Sequence, residues 1–245
     1  MTMLLVDAGN TRVKWAIAHA GAAPGEWIAH GAVVYAELDG LRDAWAGHGV
    51  SRALVSNVAG SAIRERLAAL LPLPEPEWFG ARPELAGLRN RYRNPAQLGA
   101  DRFAAALGAR TLAPGKALVV ATCGTATTVD GVSSDGDFVG GMILPGLGLM
   151  LSSLARGTAQ LPDTSAQESM PPTFADNTLD AIRAGCVAAQ AGAIERAFAA
   201  LPAELCIVSG GAAGHVAPAL SVPYRMLDNI VLVGLHAAAV ASTTP

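Results

Sequence analysis

An aspartate, a glycine, an asparagine, a threonine and a lysine fall within eight residues in "DAGNTRVK" (7–14), directly after an apolar run. At a strand end, Gly9 lets the backbone approach a ligand closely, and its N–H can line up with those of Asn10 and Thr11 as phosphate donors. Asp7 suits a magnesium ion or its waters, because Mg²⁺ takes one or two carboxylates and completes its coordination with phosphate oxygens and water. Lys14 adds a cation. The same residues also suit an ordinary hairpin with a capping aspartate and a helpful glycine.

A second glycine- and hydroxyl-rich turn, "CGTATTVD" (123–130), contains Gly124 and Thr125. Two such turns can hold a polyphosphate from both sides. Neither is a Walker A loop or a protein-kinase glycine loop, and no Rossmann fingerprint follows the first apolar run. Asp101, in "LGADRFAAALGAR", falls in the first turn of a predicted helix. It is either a dipole-stabilising residue with Arg102 turned outward or the acceptor of a substrate hydroxyl proton. The helix N-terminus would lower its pKa. That is tolerable where the acceptor mainly orients the nucleophile, as in phosphoryl transfer. Gly140, Gly141, Pro145 and Gly146, and the "SGG" at 209–211, permit either tight packing or close approach to a nucleotide. Thr178 follows Asn177 at a well-capped helix start, and His215 reads as structural. Arg89, Arg91, Arg93 and Arg102 either favour an anionic ligand or are ordinary surface arginines.

The elements that must position these residues alternate between β-rich and Ala/Leu-rich segments, an α/β pattern. Strands are expected over 2–8, 11–21, 26–34 and 52–58, with helices around 37–49, over 61–71 and from near Gly99. A proline-rich, ordered excursion covers 72–95. Internal repetition is the strongest signal. "LLVDAGNT" (4–11) is echoed by "VVATCGTA" (119–126), each followed by hairpin-like segments, and "ALVSNVAG" (53–60) is echoed by "CIVSGGAAG" (206–214). The ordered echoes predict two similar α/β lobes, 1–110 and 111–245, facing each other across a cleft lined by both turns, where ligands usually bind.

The chain has 245 residues with a net charge of −3, which gives no whole-protein indication of a nucleic-acid surface or a membrane anchor. Cys123, Cys186 and Cys206 lack metal or redox spacing and read as small buried residues in a reducing compartment. No secretory signal and no apolar stretch of membrane-spanning length is evident, so a cytoplasmic protein is expected.

Seven motifs in order, D-x-G-N-T (7–11), Y-x-N-P (92–95), G-x-D-R (99–102), G-T-A-T-T-x-D (124–130), G-G-x-I-x-P-G (140–146), N-T-x-x-A-I (177–182) and S-G-G (209–211), resemble the type III pantothenate kinases. The resemblance implies duplicated ribonuclease H-like lobes of the acetate and sugar kinase, heat-shock ATPase and actin superfamily. It implies transfer of the ATP γ-phosphoryl group to the primary hydroxyl of pantothenate, giving 4'-phosphopantothenate at the first step of coenzyme A biosynthesis. It also implies ATP contacts from Asp7, Ala8, Gly9, Asn10, Thr11, Arg12, Val13, Lys14, Gly124 and Thr125, with Asp101 catalytic. The pantothenate site would comprise Tyr92, Gly99, Ala100, Asp101, Arg102 and Thr178. Homodimers requiring Mg²⁺ and a monovalent cation, potassium or ammonium, are the implied form. Thr122 departs from the family pattern: it occupies the usually acidic position associated with the monovalent cation. Two alternatives stand beside this reading: a kinase for another small hydroxyl substrate, and a non-catalytic regulatory protein on the same fold. Asp7, Asp101 and Thr125 argue against a dead site, and the lack of a helix-turn-helix pattern argues against direct DNA binding.

Overall fold

The computed structural model describes residues 1–157 and 172–242. These form two units: Met1–Gly115 with Gly136–Val139 and Asn229 onward, and Lys116–Asp135 with Gly140–Asp228.

The first unit contains β1 (Thr2–Ala8), β2 (Arg12–His19), β3 (Ala29–Val34), α1 (Leu41–Trp45), β4 (Val50–Asn57), α2 (Ser61–Leu70), β5 (Glu77–Phe79), β6 (Glu84–Leu85), β7 (Leu88–Asn90) and α3 (Ala100–Leu112). Its main sheet has the order β3-β2-β1-β4-β5, antiparallel across β3-β2-β1 and parallel across β1-β4-β5. Period-2 alternation divides β1 between two cores. Leu4, Val6 and Ala8 join Trp15, Trp45, Val55 and Leu67 on one face. The opposite face carries the equally buried Met3 and Leu5.

The second unit contains β8 (Leu118–Cys123), β9 (Ala126–Val132), β10 (Asp137–Pro145), α4 (Leu147–Gly157), α5 (Thr178–Ala200), β11 (Leu205–Ser209), α6 (Ala213–Val216) and β12 (Tyr224–Met226). β10 begins in the first unit, where Asp137 and Phe138 pair with Arg89 and Asn90 of β7, and enters the second at Gly140. The second sheet runs β12-β11-β8-β9-β10-β7-β6, antiparallel at β8-β9 and parallel across β8-β11-β12. Each unit therefore repeats one strand plan, the one the sequence echoes predicted. The three cysteines are free and buried, and burial pushes the Cys123 and Cys206 thiols up to about 11 and about 12.

The final helix, α7 (Ile230–Ala241), corrects the expected division into 1–110 and 111–245. It packs in the first unit, on α3 and against β1, β2 and β4. The physical reason is its composition: "IVLVGLHAAAVA" is buried over nearly its whole length and fills the space that α3 leaves on that sheet face. The excursion at 72–95 is ordered, as expected, but short strands give it structure, and the Arg64 guanidinium lies 4.2 Å above the Trp78 ring. Among the described residues, no helix is long and apolar enough to cross a membrane.

Candidate active site

Strand register assembles the first group of polar residues. Asp7 of β1 pairs with Lys14 of β2 on one side and Ser56 of β4 on the other, and Ser56 pairs with Phe79 of β5. Directly paired residues share a sheet face, so Lys14, Asp7, Ser56 and Phe79 form one row. Phe79 stacks on Phe103 of α3 with ring centroids 6.1 Å apart. That contact brings the first turn of α3, with Asp101, toward the same face.

Asp7 is buried and its carboxyl is pushed up to about 7, first by loss of solvent and then by the Asp101 carboxylate, with Lys14 opposing. Its Oδ1 is enclosed and has no hydrogen-bond partner, and neither has the Ser56 Oγ. Leaving such a group buried and unpaired costs about 1–3 kcal/mol, so each invites explanation. A second carboxylate within electrostatic reach and an orphaned carboxylate oxygen fit a hard divalent cation that takes its remaining ligands from nucleotide phosphates and water. Among the described residues no cluster of three or more His, Cys, Asp or Glu could hold a metal unaided.

Gly99 precedes α3, and a Cβ added there would lie 2.7 Å from Asp101 Oδ1, so the glycine makes room for this carboxylate. The Arg102 N–H donates to the same oxygen at 2.8 Å. A helix N-terminus alone would lower the Asp101 pKa, as expected from sequence; in the structure it is raised, because burial outweighs the Arg102 backbone bond and charge. The expectation failed because helix position is visible in sequence and depth is not. Ala100 is the first residue of α3, and Arg102 is buried rather than turned outward. Its Nη1 donates to Tyr92 Oη at 2.8 Å, and its guanidinium faces the rings of Tyr92 and Phe138. Tyr92 is fixed in turn: its N–H donates to Asn90 Oδ1 at 3.0 Å, and Asn94 caps the turn that follows. The arginine cluster divides. Arg89 and Arg91 are committed to Asp137, with N–O distances of 2.6 and 3.0 Å, whereas Arg93 is exposed.

The first loop is a tight hairpin connection. Gly9 N–H donates to the Arg12 carbonyl at 3.2 Å, Asn10, Thr11 and Arg12 are exposed, and Ala8 and Val13 are buried on either side. A Cβ at Gly9 would make only an ordinary 3.7 Å contact, so the protein's own packing does not demand glycine there. The Tyr35 hydroxyl donates to the Gly9 carbonyl.

In the second unit, Gly124 and Thr125 join β8 to β9 and are exposed. Gly146 N–H donates to the Thr125 carbonyl at 2.9 Å, and a Cβ on Gly146 would lie 2.1 Å from the Gly124 carbonyl. Gly210, with φ of +101°, packs equally closely on Cys123. These glycines serve the tight packing reading, by seating the second loop. Thr122 repeats the position of Asp7: it pairs with Thr128 of β9 and Ser209 of β11, as Asp7 pairs with Lys14 and Ser56. Thr178 is the exposed first residue of α5, capped by Asn177 Oδ1, which accepts from Asp180 N–H at 3.0 Å. His215 lies 3.1 Å from the buried Arg183 guanidinium through Nδ1.

The structure thus brings Asp7 to Lys14, Tyr92 and Gly99 to Arg102 together in the first unit, and places Thr122, Gly124, Thr125 and Thr178 in the second. Tyr35 and Ser56 were not singled out from sequence. Ser56 had one signal, its alignment with Ser209 in the repeated "VS"; Tyr35 had none.

A family model described as type III pantothenate kinase matches residues 3–200. A type III pantothenate kinase from Janthinobacterium sp. (strain Marseille) is 56% identical, covering 97% of each chain. One from Herminiimonas arsenicoxydans is 54% identical with the same coverage. Among solved structures, a Baf family protein from Campylobacter jejuni superposes with a TM-score of 0.63 at 20% identity, over 95% of this chain and 94% of that one. The polyphosphate/ATP-glucomannokinase of Arthrobacter sp. strain KM gives 0.53 at 14% identity, covering 98% of each. With the repeated strand order, these likenesses identify the actin-like ATPase fold of duplicated ribonuclease H-like lobes.

Proposed function

The chain belongs to the type III pantothenate kinase family, and from that premise we propose how its residues divide the work of phosphoryl transfer. The reaction passes the ATP γ-phosphoryl group to the primary hydroxyl of pantothenate, giving 4'-phosphopantothenate for coenzyme A synthesis. Asp101 accepts the hydroxyl proton and aims the oxygen at the γ-phosphorus. The observation that carries this reading is the half-buried Asp101 carboxylate, in the space left by Gly99, within electrostatic reach of Asp7. Its raised pKa makes it a stronger proton acceptor than an exposed aspartate. Arg102, held by Tyr92, supplies positive charge for the pantothenate carboxylate, with Gly99, Ala100 and Thr178 completing that site.

Between the buried Ala8 and Val13, the exposed Asn10, Thr11 and Arg12 present backbone donors to the ATP phosphates, and Lys14 adds charge. Gly9 matters for the ligand, since the chain itself leaves room for a Cβ there. Gly124 and Thr125 serve ATP from the second unit. Asp7 is the residue to hold the divalent ion, which we take to be Mg²⁺; such an ion, when bound, neutralises charge on the phosphates. Thr122 offers a hydroxyl where a carboxylate is usual, so a potassium or ammonium site here would rest on hydroxyl and carbonyl oxygens and bind more weakly. A cytoplasmic homodimer is the assembly we assign.

Asp101→Asn tests the central assignment. In an assay with labelled pantothenate, ATP and magnesium, kcat should fall by about 10²- to 10⁴-fold with ATP affinity retained. Near-normal turnover would overturn the role.

A further inference from the structure

This inference rests on the assignment of Asp7 to the divalent ion and extends it to Ser56, a residue the reaction above leaves unused. The Ser56 side chain is fully buried, and its hydroxyl has no hydrogen-bond partner. Its register partner on the adjacent strand, Asp7, also carries an unpartnered oxygen. Two oxygens on paired residues of one sheet face are therefore enclosed without bonding to each other or to the rest of the protein. The repeat supplies an internal comparison. Ser209 holds the equivalent position beside Thr122, is equally enclosed, and donates to the Asp228 carbonyl at 3.3 Å. A serine at this strand position can be satisfied by the chain itself, and in the first unit it is not.

We propose that Ser56 is a positioning residue for the divalent ion, its Oγ and the free Asp7 Oδ1 together accepting the two protons of a single water that the ion carries. A water whose lone pair is given to a cation keeps two protons to donate. A carboxylate oxygen and a hydroxyl oxygen can each accept one. Ser56 thereby fixes the orientation of the group through which Asp7 acts, and residues in that relation to a metal typically set its affinity within one to two orders of magnitude. Alanine is close to serine in size, so Ser56→Ala removes the hydroxyl with little change in packing.

The test measures binding of a non-hydrolysable ATP analogue by calorimetry, with Mn²⁺ and in EDTA, for wild type, Ser56→Ala and Asp7→Asn, alongside thermal unfolding of each metal-free protein. Ser56→Ala is expected to lose about tenfold of the Mn²⁺-dependent affinity, to bind the analogue in EDTA as wild type does, and to melt no lower than wild type. If Asp7→Asn abolishes the Mn²⁺ dependence while Ser56→Ala keeps all of it, the inference is wrong and the Asp7 assignment stands. If neither substitution changes the Mn²⁺ dependence, the Asp7 assignment fails and the inference with it. A Ser56→Ala protein that melts lower and binds more weakly to the same extent with and without metal would make the hydroxyl structural and overturn the proposal.

Discussion

Asp7 keeps its proton up to about pH 7 in the metal-free protein, because burial and the nearby Asp101 carboxylate both disfavour its charge. An ordinary aspartate titrates near 3.8, whereas here the value rises to about 7. Between those values the folded chain holds a proton that the unfolded chain releases. Asp7 therefore makes the metal-free protein less stable as pH rises from about 4 to about 7, by at most about 1.4 kcal/mol per pH unit. Below that window both states are protonated; above it both are ionised. Urea denaturation in EDTA at pH 5 and pH 7 checks this: the loss of stability at pH 7 should be larger in wild type than in Asp7→Asn, and an equal loss would contradict it. At this scale the residue types were legible. Asp7, Gly9 and Lys14 lie close together in the chain, and their chemistry could be read from that spacing. The Ser56 hydroxyl was not, because it meets Asp7 only through strand register. Nor was the direction of the Asp101 shift, which depends on depth.

Helix packing holds the site from behind. A Cβ on Gly234 of α7 would lie 1.7 Å from the Ala104 carbonyl of α3, and one on Gly108 of α3 would lie 2.5 Å from the Ile230 carbonyl. The two helices meet backbone to backbone, and Asp101 sits one turn before that contact. Gly234→Ala should separate them at a cost of about 1–3 kcal/mol or more, as overpacking does, and should lower both the melting temperature and turnover. Gly185→Ala on α5, where nothing lies within 4 Å, is the control. Its removal of a helical glycine should be neutral or stabilising by up to about 1 kcal/mol, and equal melting temperatures for the two variants would refute the packing argument. The hairpin strands and α2 were readable from periodicity and turn residues. The close pairing of α3 with α7 was not, because a glycine that admits a helix looks like any other helical glycine until its partner is known. Burial of α7 on almost every side also removed the amphipathic signal that would have pointed to a neighbour.

The duplication is visible in both sequence and strand order, yet its copies have diverged in chemistry: the row Lys14–Asp7–Ser56 in one is Thr128–Thr122–Ser209 in the other. The expected division at 110/111 followed the repeat, and the structure departs from it because packing, rather than chain order, assigns α7. A chain ended after Asp228 would lose nine buried residues from the first unit. Limited proteolysis should then cut within residues 1–115 well before it cuts within 116–157 or 172–228, with pantothenate phosphorylation lost. Equal resistance of the two segments would show that α7 is dispensable.

Because residues from both ends of the described chain complete the same unit, translation delivers its parts far apart in time. The first unit begins to emerge from the ribosome before the second but must wait for α7, while the second has all of its described strands and helices once Asp228 is free. The usual N-terminal-first order of folding during synthesis would then be inverted. The sheet face carrying Met3, Leu5 and Asp7 would stay incompletely covered until α7 has been made, leaving the nascent chain exposed to aggregation and dependent on chaperones until then.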